Sequence, residues 1–244
     1  MPNFLLLNTK KSCTKNLIIF PGAASLASSW SSWAVNFPNT KVLIAEYPGR
    51  GINIEKKTEG DFLSLCRQYV NSLQSYLQED CIFLGYSFGG YLAYEVAKQL
   101  ELSQKIVIKH LFLAGVSDYA HYATKKLEIM CLRDNSLLRE FLKENVVKSN
   151  SKKDMEEILD IFVPILRRDI KMLTSYQFRA YKIQSPLNVY NGSHDVLCHH
   201  QQASLRWQDH SQKTSYFTYN SNHRLTVEGQ DLIKDHISLI WSLM

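Results

Sequence analysis

The stretch Ile82-Phe83-Leu84-Gly85-Tyr86-Ser87-Phe88-Gly89-Gly90 decides the reading of this chain. Its short apolar run fits a buried strand, and the residues from Phe88 to Leu100 place Tyr91, Leu92, Tyr94, Val96 and Leu100 where a helix packs on a sheet. Between them Ser87 sits among glycines, as a sharp strand-to-helix turn requires, because a larger side chain beside the bend would strike the strand or the helix. Such a turn lifts a hydroxyl above the end of a sheet.

Outward from that turn, the same alternation repeats. Leu17-Ile18-Ile19-Phe20, Val42-Leu43-Ile44-Ala45, Cys81 to Leu84 and Leu111-Phe112-Leu113-Ala114 are continuous apolar runs, and Leu187 to Tyr190 and Tyr216 to Tyr219 follow later. Helical patterns lie between them: one around Ser28 to Asn36, one capped by Asp61 with Phe62, Leu65, Tyr69, Leu73 and Leu77 on one side, one from about His199 to Trp207, and one from Gly229 to Leu243. This predicts a mostly parallel sheet flanked by helices on both faces.

From about 119 to 181 the alternation gives way to helical periodicity alone. Asp134 is placed to cap a helix burying Leu137, Leu138, Phe141, Leu142 and Val146. Ser151 is placed to cap another with Met155, Ile158, Leu159, Phe162 and Leu166, which Pro164 should kink or restart. The expectation is one domain over residues 1–244 with a helical lid inserted at about 119–181. The apolar stripes of the insert serve as its own core, and a few of their residues should also face the serine.

A serine hydroxyl is a weak nucleophile at neutral pH, so a base must lie within hydrogen-bond reach and a third group must orient that base. Two strand-end loops downstream supply them in the order that an α/β-hydrolase uses: Asn191-Gly192-Ser193-His194-Asp195 and Asn220-Ser221-Asn222-His223. Ser87 is thus read as nucleophile, Asp195 as the acid and His223 as the base. Asp118, which also follows a strand, is a rival acid; His194, His199, His200, His210 and His236 are rival bases that fit surface or helix positions. The backbone amide of Phe88 and an amide of the small-residue loop Pro21-Gly22-Ala23-Ala24-Ser25, taken as that of Ala23, are expected to form the oxyanion hole.

Composition excludes several alternatives. The net charge of +5 comes from dispersed lysines without interleaved stacking aromatics, so no nucleic-acid surface is expected, while an acidic protein partner would be favoured. The five cysteines lack the spacing of a disulfide framework or zinc site and read as reduced thiols of a cytoplasmic protein. The histidines give no metal site. No run reaches the roughly 20 apolar residues that a membrane helix needs, and Phe4 to Leu7 is too short for a signal-peptide core.

With these residues placed, the chain resembles the type II, or editing, thioesterases of nonribosomal peptide and polyketide synthesis, stand-alone α/β-hydrolases related to medium-chain acyl carrier protein thioesterases. The resemblance rests on Phe20-Pro21-Gly22-Ala23-Ala24-Ser25, Tyr47-Pro48-Gly49-Arg50-Gly51, Gly85 to Gly90, Pro164-Ile165-Leu166-Arg167-Arg168-Asp169, Gly192 to Asp195, and His223. It departs at Tyr86, where the family has histidine, and at Ser221-Asn222, where the family has two glycines. The resemblance implies hydrolysis of acyl or aminoacyl thioesters held on the phosphopantetheine arm of an acyl or peptidyl carrier protein, with small-molecule acyl thioesters as simpler substrates. It implies no cofactor of the enzyme's own, since phosphopantetheine belongs to the partner. Arg50 is read as a turn or surface residue. A medium-chain acyl carrier protein thioesterase, a general esterase of this fold, and a non-catalytic carrier-binding module are the competing readings.

Overall fold

The computed structural model describes residues 3–10, 12–56, 60–77, 79–104, 106–117, 135–146, 151–177, 179, 181–198 and 207–244. Seven strands form one sheet: β1 (Phe4–Leu7), β2 (Lys15–Phe20), β3 (Thr40–Ala45), β4 (Asp80–Tyr86), β5 (His110–Ala114), β6 (Leu187–Gly192) and β7 (Thr214–Tyr219), in the order β1-β3-β2-β4-β5-β6-β7. All neighbours run parallel except β1, which pairs antiparallel with β3, Phe4 opposite Ala45. Each strand expected from an apolar run is present, extended by one to three residues. The additional strand is β1, whose four residues are too few to read as more than a short apolar run.

Among the described residues the α-helices are α1 (Trp33–Asn36), α2 (Phe62–Leu73), α3 (Phe88–Gln104), α4 (Asn135–Asn145), α5 (Lys152–Thr174) and α6 (Val227–Ser242). The helix expected over 28–36 is two short pieces, a 3-10 turn at Ala27–Trp30 and α1. Asp61 caps α2 by accepting from the Ser64 amide at 2.8 Å, and Ser151 caps α5 by accepting from that of Asp154 at 3.3 Å. Pro164 does not restart a helix, since α5 continues through it. Asp134 and most of the segment from His199 to Trp207 lie outside the described residues.

Because successive strand residues point to opposite faces, β2 sends Ile18 and Phe20 into a core shared with α2 and α3, and Leu17 and Ile19 into a second core shared with α1 and α6. A third cluster joins α4 and α5 through Leu138, Leu142, Leu159, Val163, Leu166 and Ile170, and it includes Ala24 from the loop after β2. That loop is thereby built into the helical insert. Among the described residues no helix is long and apolar enough to cross a membrane.

Candidate active site

The turn after β4 is as tight as the glycines suggest. A Cβ on Gly89 would lie 2.0 Å from the carbonyl oxygen of Phe20, and one on Gly85 would lie 2.5 Å from that of Gly89. Ser87 itself has φ of +53°, a left-handed conformation costly for a residue with a side chain. Its amide donates to the Ala114 carbonyl at 2.8 Å and its carbonyl accepts from Gly90 at 2.8 Å, which fixes the bend.

Two further loops converge on it. The pairing of β6 with β7 continues past both strands: Ser193 N–H donates to Tyr219 and His194 N–H to Ser221, each at 2.9 Å. Gly192 permits this approach, because a Cβ there would sit 2.1 Å from the Asn222 carbonyl oxygen. The loop carrying Asp195 is therefore fastened to the loop carrying His223.

The outcome is a hydrogen-bonded row. Ser87 Oγ lies 2.9 Å from His223 Nε2, and His223 Nδ1 lies 2.8 Å from Asp195 Oδ2. The other carboxylate oxygen, Oδ1, accepts from the amides of Leu197 at 2.8 Å and Cys198 at 3.2 Å. Burial alone would raise the Asp195 pKa, but the charge and hydrogen bond of His223 and those two amides outweigh it and hold the carboxyl below its usual range. An ionised carboxylate only accepts, so Nδ1 carries the hydrogen and Nε2 is left to accept the serine proton.

Ala23, Ser87, Phe88, Tyr91, Gly115, Phe141, Leu166, Ile170, Leu173, Leu197, Cys198 and His223 line an apolar cavity of about 30 Å³ beside this row. That is room for a water or two. Helices α4 and α5 supply its outer wall, with the Phe141 ring 5.8 Å from that of His223. Ala23 and Phe88 line this cavity together with the nucleophile, and Phe88 opens α3, where amides lack intrahelical acceptors.

The rival residues stand elsewhere. His194 is exposed beside Ser193, and His236 bonds the Tyr190 hydroxyl. His210 is buried against Trp207 and Tyr94 rather than lying at the surface. Asp118, His199 and His200 are outside the described residues.

Three site neighbours escape sequence reading. Cys198 places its thiol 3.9 Å from His223 Nδ1; burial and the Asp195 charge push its pKa up, so it stays protonated. Asp195, Cys198 and His223 form the one cluster among the described residues whose donor atoms converge as metal ligands would, and two of those donors already bond each other. The surface reading of Arg50 is corrected: it is 1% exposed, with Nη2 2.6 Å from both carboxylate oxygens of Asp169 in α5. Its partner lies 119 residues away, a pairing that no local pattern encodes.

A parallel sheet with a serine on the turn after a central strand, and acid and base on two later strand ends, defines a hydrolase of the α/β-hydrolase fold. The family profile for a thioesterase domain matches residues 15–239, so the chain belongs to the thioesterase family and acts on thioesters. Its relatives include the gramicidin S biosynthesis protein GrsT of Aneurinibacillus migulanus, 21% identical over 229 residues, covering 93% of this chain and 89% of that protein. Among solved structures, RedJ, a thioesterase of the prodiginine pathway in Streptomyces coelicolor, superposes with a TM-score of 0.81 at 20% identity, over 94% of this chain and 86% of the other. BorB, the type II thioesterase of the borrelidin cluster, gives 0.79 at 22% identity, over 93% and 92%. These neighbours thus include a thioesterase of one biosynthetic pathway and a type II thioesterase of another.

Proposed function

We propose that the protein hydrolyses acyl or aminoacyl groups from the phosphopantetheine arm of acyl or peptidyl carrier proteins, clearing misloaded or stalled thioesters. The observation that carries this is the row Ser87–His223–Asp195, of which Ser87 and His223 line an apolar cavity walled by α4 and α5, the helices proposed as its lid. The family and the biosynthetic setting of the relatives named above support the same reading.

In the proposed reaction, Ser87 Oγ attacks the thioester carbonyl while its proton passes to His223 Nε2. The oxyanion is met by the amides of Ala23 and Phe88. The C–S bond then breaks, and the pantetheine sulfur leaves with the proton from Nε2. A water molecule repeats the sequence on the acyl-Ser87 ester, giving the free acid and restoring the serine. Asp195 remains ionised throughout and holds the imidazole. No metal or resident cofactor takes part; the pantetheine comes with the carrier.

The test is a comparison of acyl-pantetheine thioesters and acyl-carrier proteins with matched oxygen esters. Faster turnover of the thioesters, lost in Ser87→Ala, supports the proposal. Preference for the oxygen ester would make the protein a general esterase, and a wild-type serine that a fluorophosphonate fails to label would make it a binding module.

A further inference from the structure

We propose that Arg50 and Asp169 are positioning residues that lock the oxyanion loop to lid helix α5, so that the lid's seating sets the geometry of the Ala23 donor. This rests on the oxyanion role given to Ala23 above. Four residues, Gly22 to Ser25, form a turn closed by Ser25 N–H donating to the Gly22 carbonyl at 3.2 Å. Within a planar peptide the carbonyl and the next amide point in opposite directions. The Gly22 carbonyl faces into the turn, so the Ala23 amide faces out of it, and Ala23 lines the cavity together with Ser87. A Cβ on Gly22 would sit 3.6 Å from Ser87 Cβ, so the loop lies against the nucleophile.

This turn is strained. Ala24 has φ of +58°, a conformation that such turns normally give to glycine. Strain of this kind persists only where the surroundings over-determine it. Here the Ala24 amide donates to Asp169 Oδ2 at 2.9 Å, and Arg50 spans Asp169 on one side and the Ser25 carbonyl, at 3.4 Å from Nη1, on the other. The Ala24 side chain is fully buried in the cluster of α4 and α5. A second strap, Arg168 Nη2 donating to the Pro48 carbonyl at 2.9 Å, ties α5 to the loop that carries Arg50. The ion pair is buried on both sides, at 1% and 5% side-chain exposure, so water cannot replace either partner. A shift of α5 would withdraw the acceptor of Ala24 and free the turn to relax.

The experiment compares the wild type with Asp169→Ala, Asp169→Asn and the apolar pair Arg50→Met/Asp169→Leu, which removes both charges of the ion pair together and so guards against a failure to fold. Two probes are used: a trifluoromethyl ketone joined to pantetheine by a thioether, whose carbonyl takes the Ser87 oxygen to form an oxyanion while the serine proton moves to His223, and the same compound with a methylene in place of the carbonyl. Loss of a well-placed oxyanion donor costs on the order of 10²-fold. For Asp169→Ala and the apolar pair, kcat should fall about that much with KM within about threefold, and ketone affinity should fall in proportion while methylene affinity holds. Asp169→Asn keeps an acceptor for Ala24 and should recover most of the loss. Equal weakening of both probes, or kcat within threefold of wild type, in Asp169→Ala and the apolar pair overturns the proposal. A wild type that binds the ketone but hydrolyses no pantetheine thioester refutes the functional reading alone, and the ketone-to-methylene ratio still decides the positioning role; a wild type that does not bind the ketone overturns both.

Discussion

The Tyr86 hydroxyl donates to the main-chain carbonyl of His223 at 2.8 Å, and the two rings stack with centroids 5.8 Å apart. The residue before the nucleophile thus holds the loop of the base from below. Burial pushes the Tyr86 pKa up, so the phenol remains a donor at any working pH.

Tyr86→Phe keeps the stack and strands the His223 carbonyl. A lost hydrogen bond of this kind costs about 1 kcal/mol, more where the orphaned group stays buried. We expect a loss of about 1–2 kcal/mol in urea unfolding and a several-fold fall in kcat with little change in KM, as the imidazole leaves its optimum position. Unchanged kcat in Tyr86→Phe would show that the loop is held without this bond.

Phe141 roofs the site from α4, where its ring faces that of His223 at 5.8 Å. With a cavity of only about 30 Å³, room for a water or two, an acyl chain as long as octanoyl must displace part of the wall. Phe141→Ala should therefore raise the ratio of kcat/KM for octanoyl over acetyl pantetheine several-fold, with short-chain turnover nearly retained. A ratio equal to that of the wild type would place the chain's path elsewhere.

Asp195 links the site to acid stability. Its carboxyl is held below the usual range in the folded state, so the unfolded chain takes up the proton first as pH falls. The stabilisation is fully present above the unfolded value of about 4 and is lost as pH drops through the lower folded value. Urea midpoints of the wild type should decline over that acid window more steeply than those of Asp195→Asn, which has no proton to gain. Parallel curves for the two proteins would refute this.

Much of the fold and the row of site residues was legible because both rest on local signals. Apolar runs mark the parallel strands, glycines mark Ser87, and strand-end loops mark Asp195 and His223. What escaped depends on chain segments meeting from afar. Asp169 reaches Ala24 across 145 positions, and Tyr86 reaches His223 across 137. Arg50 reads as a turn residue because a buried arginine is tolerable only with a partner that sequence does not point to. β1 has no comparable local signal, because its four residues gain their strand character from β3 beside them.

Stability and activity separate at the nucleophile. Ser87 sits at φ of +53°, so its Cβ is carried in a conformation that costs about 1–2 kcal/mol in an L-residue and nothing in glycine. Ser87→Ala retains that Cβ and removes only the hydroxyl, whereas Ser87→Gly removes both. The two variants should be equally inactive. Ser87→Gly should nonetheless unfold at higher urea than Ser87→Ala, by about 1 kcal/mol once the extra backbone entropy of glycine is set against the relieved strain. The opposite order would mean that the turn is relaxed with a side chain in place, and that the bend at Ser87 is held at no cost to the fold.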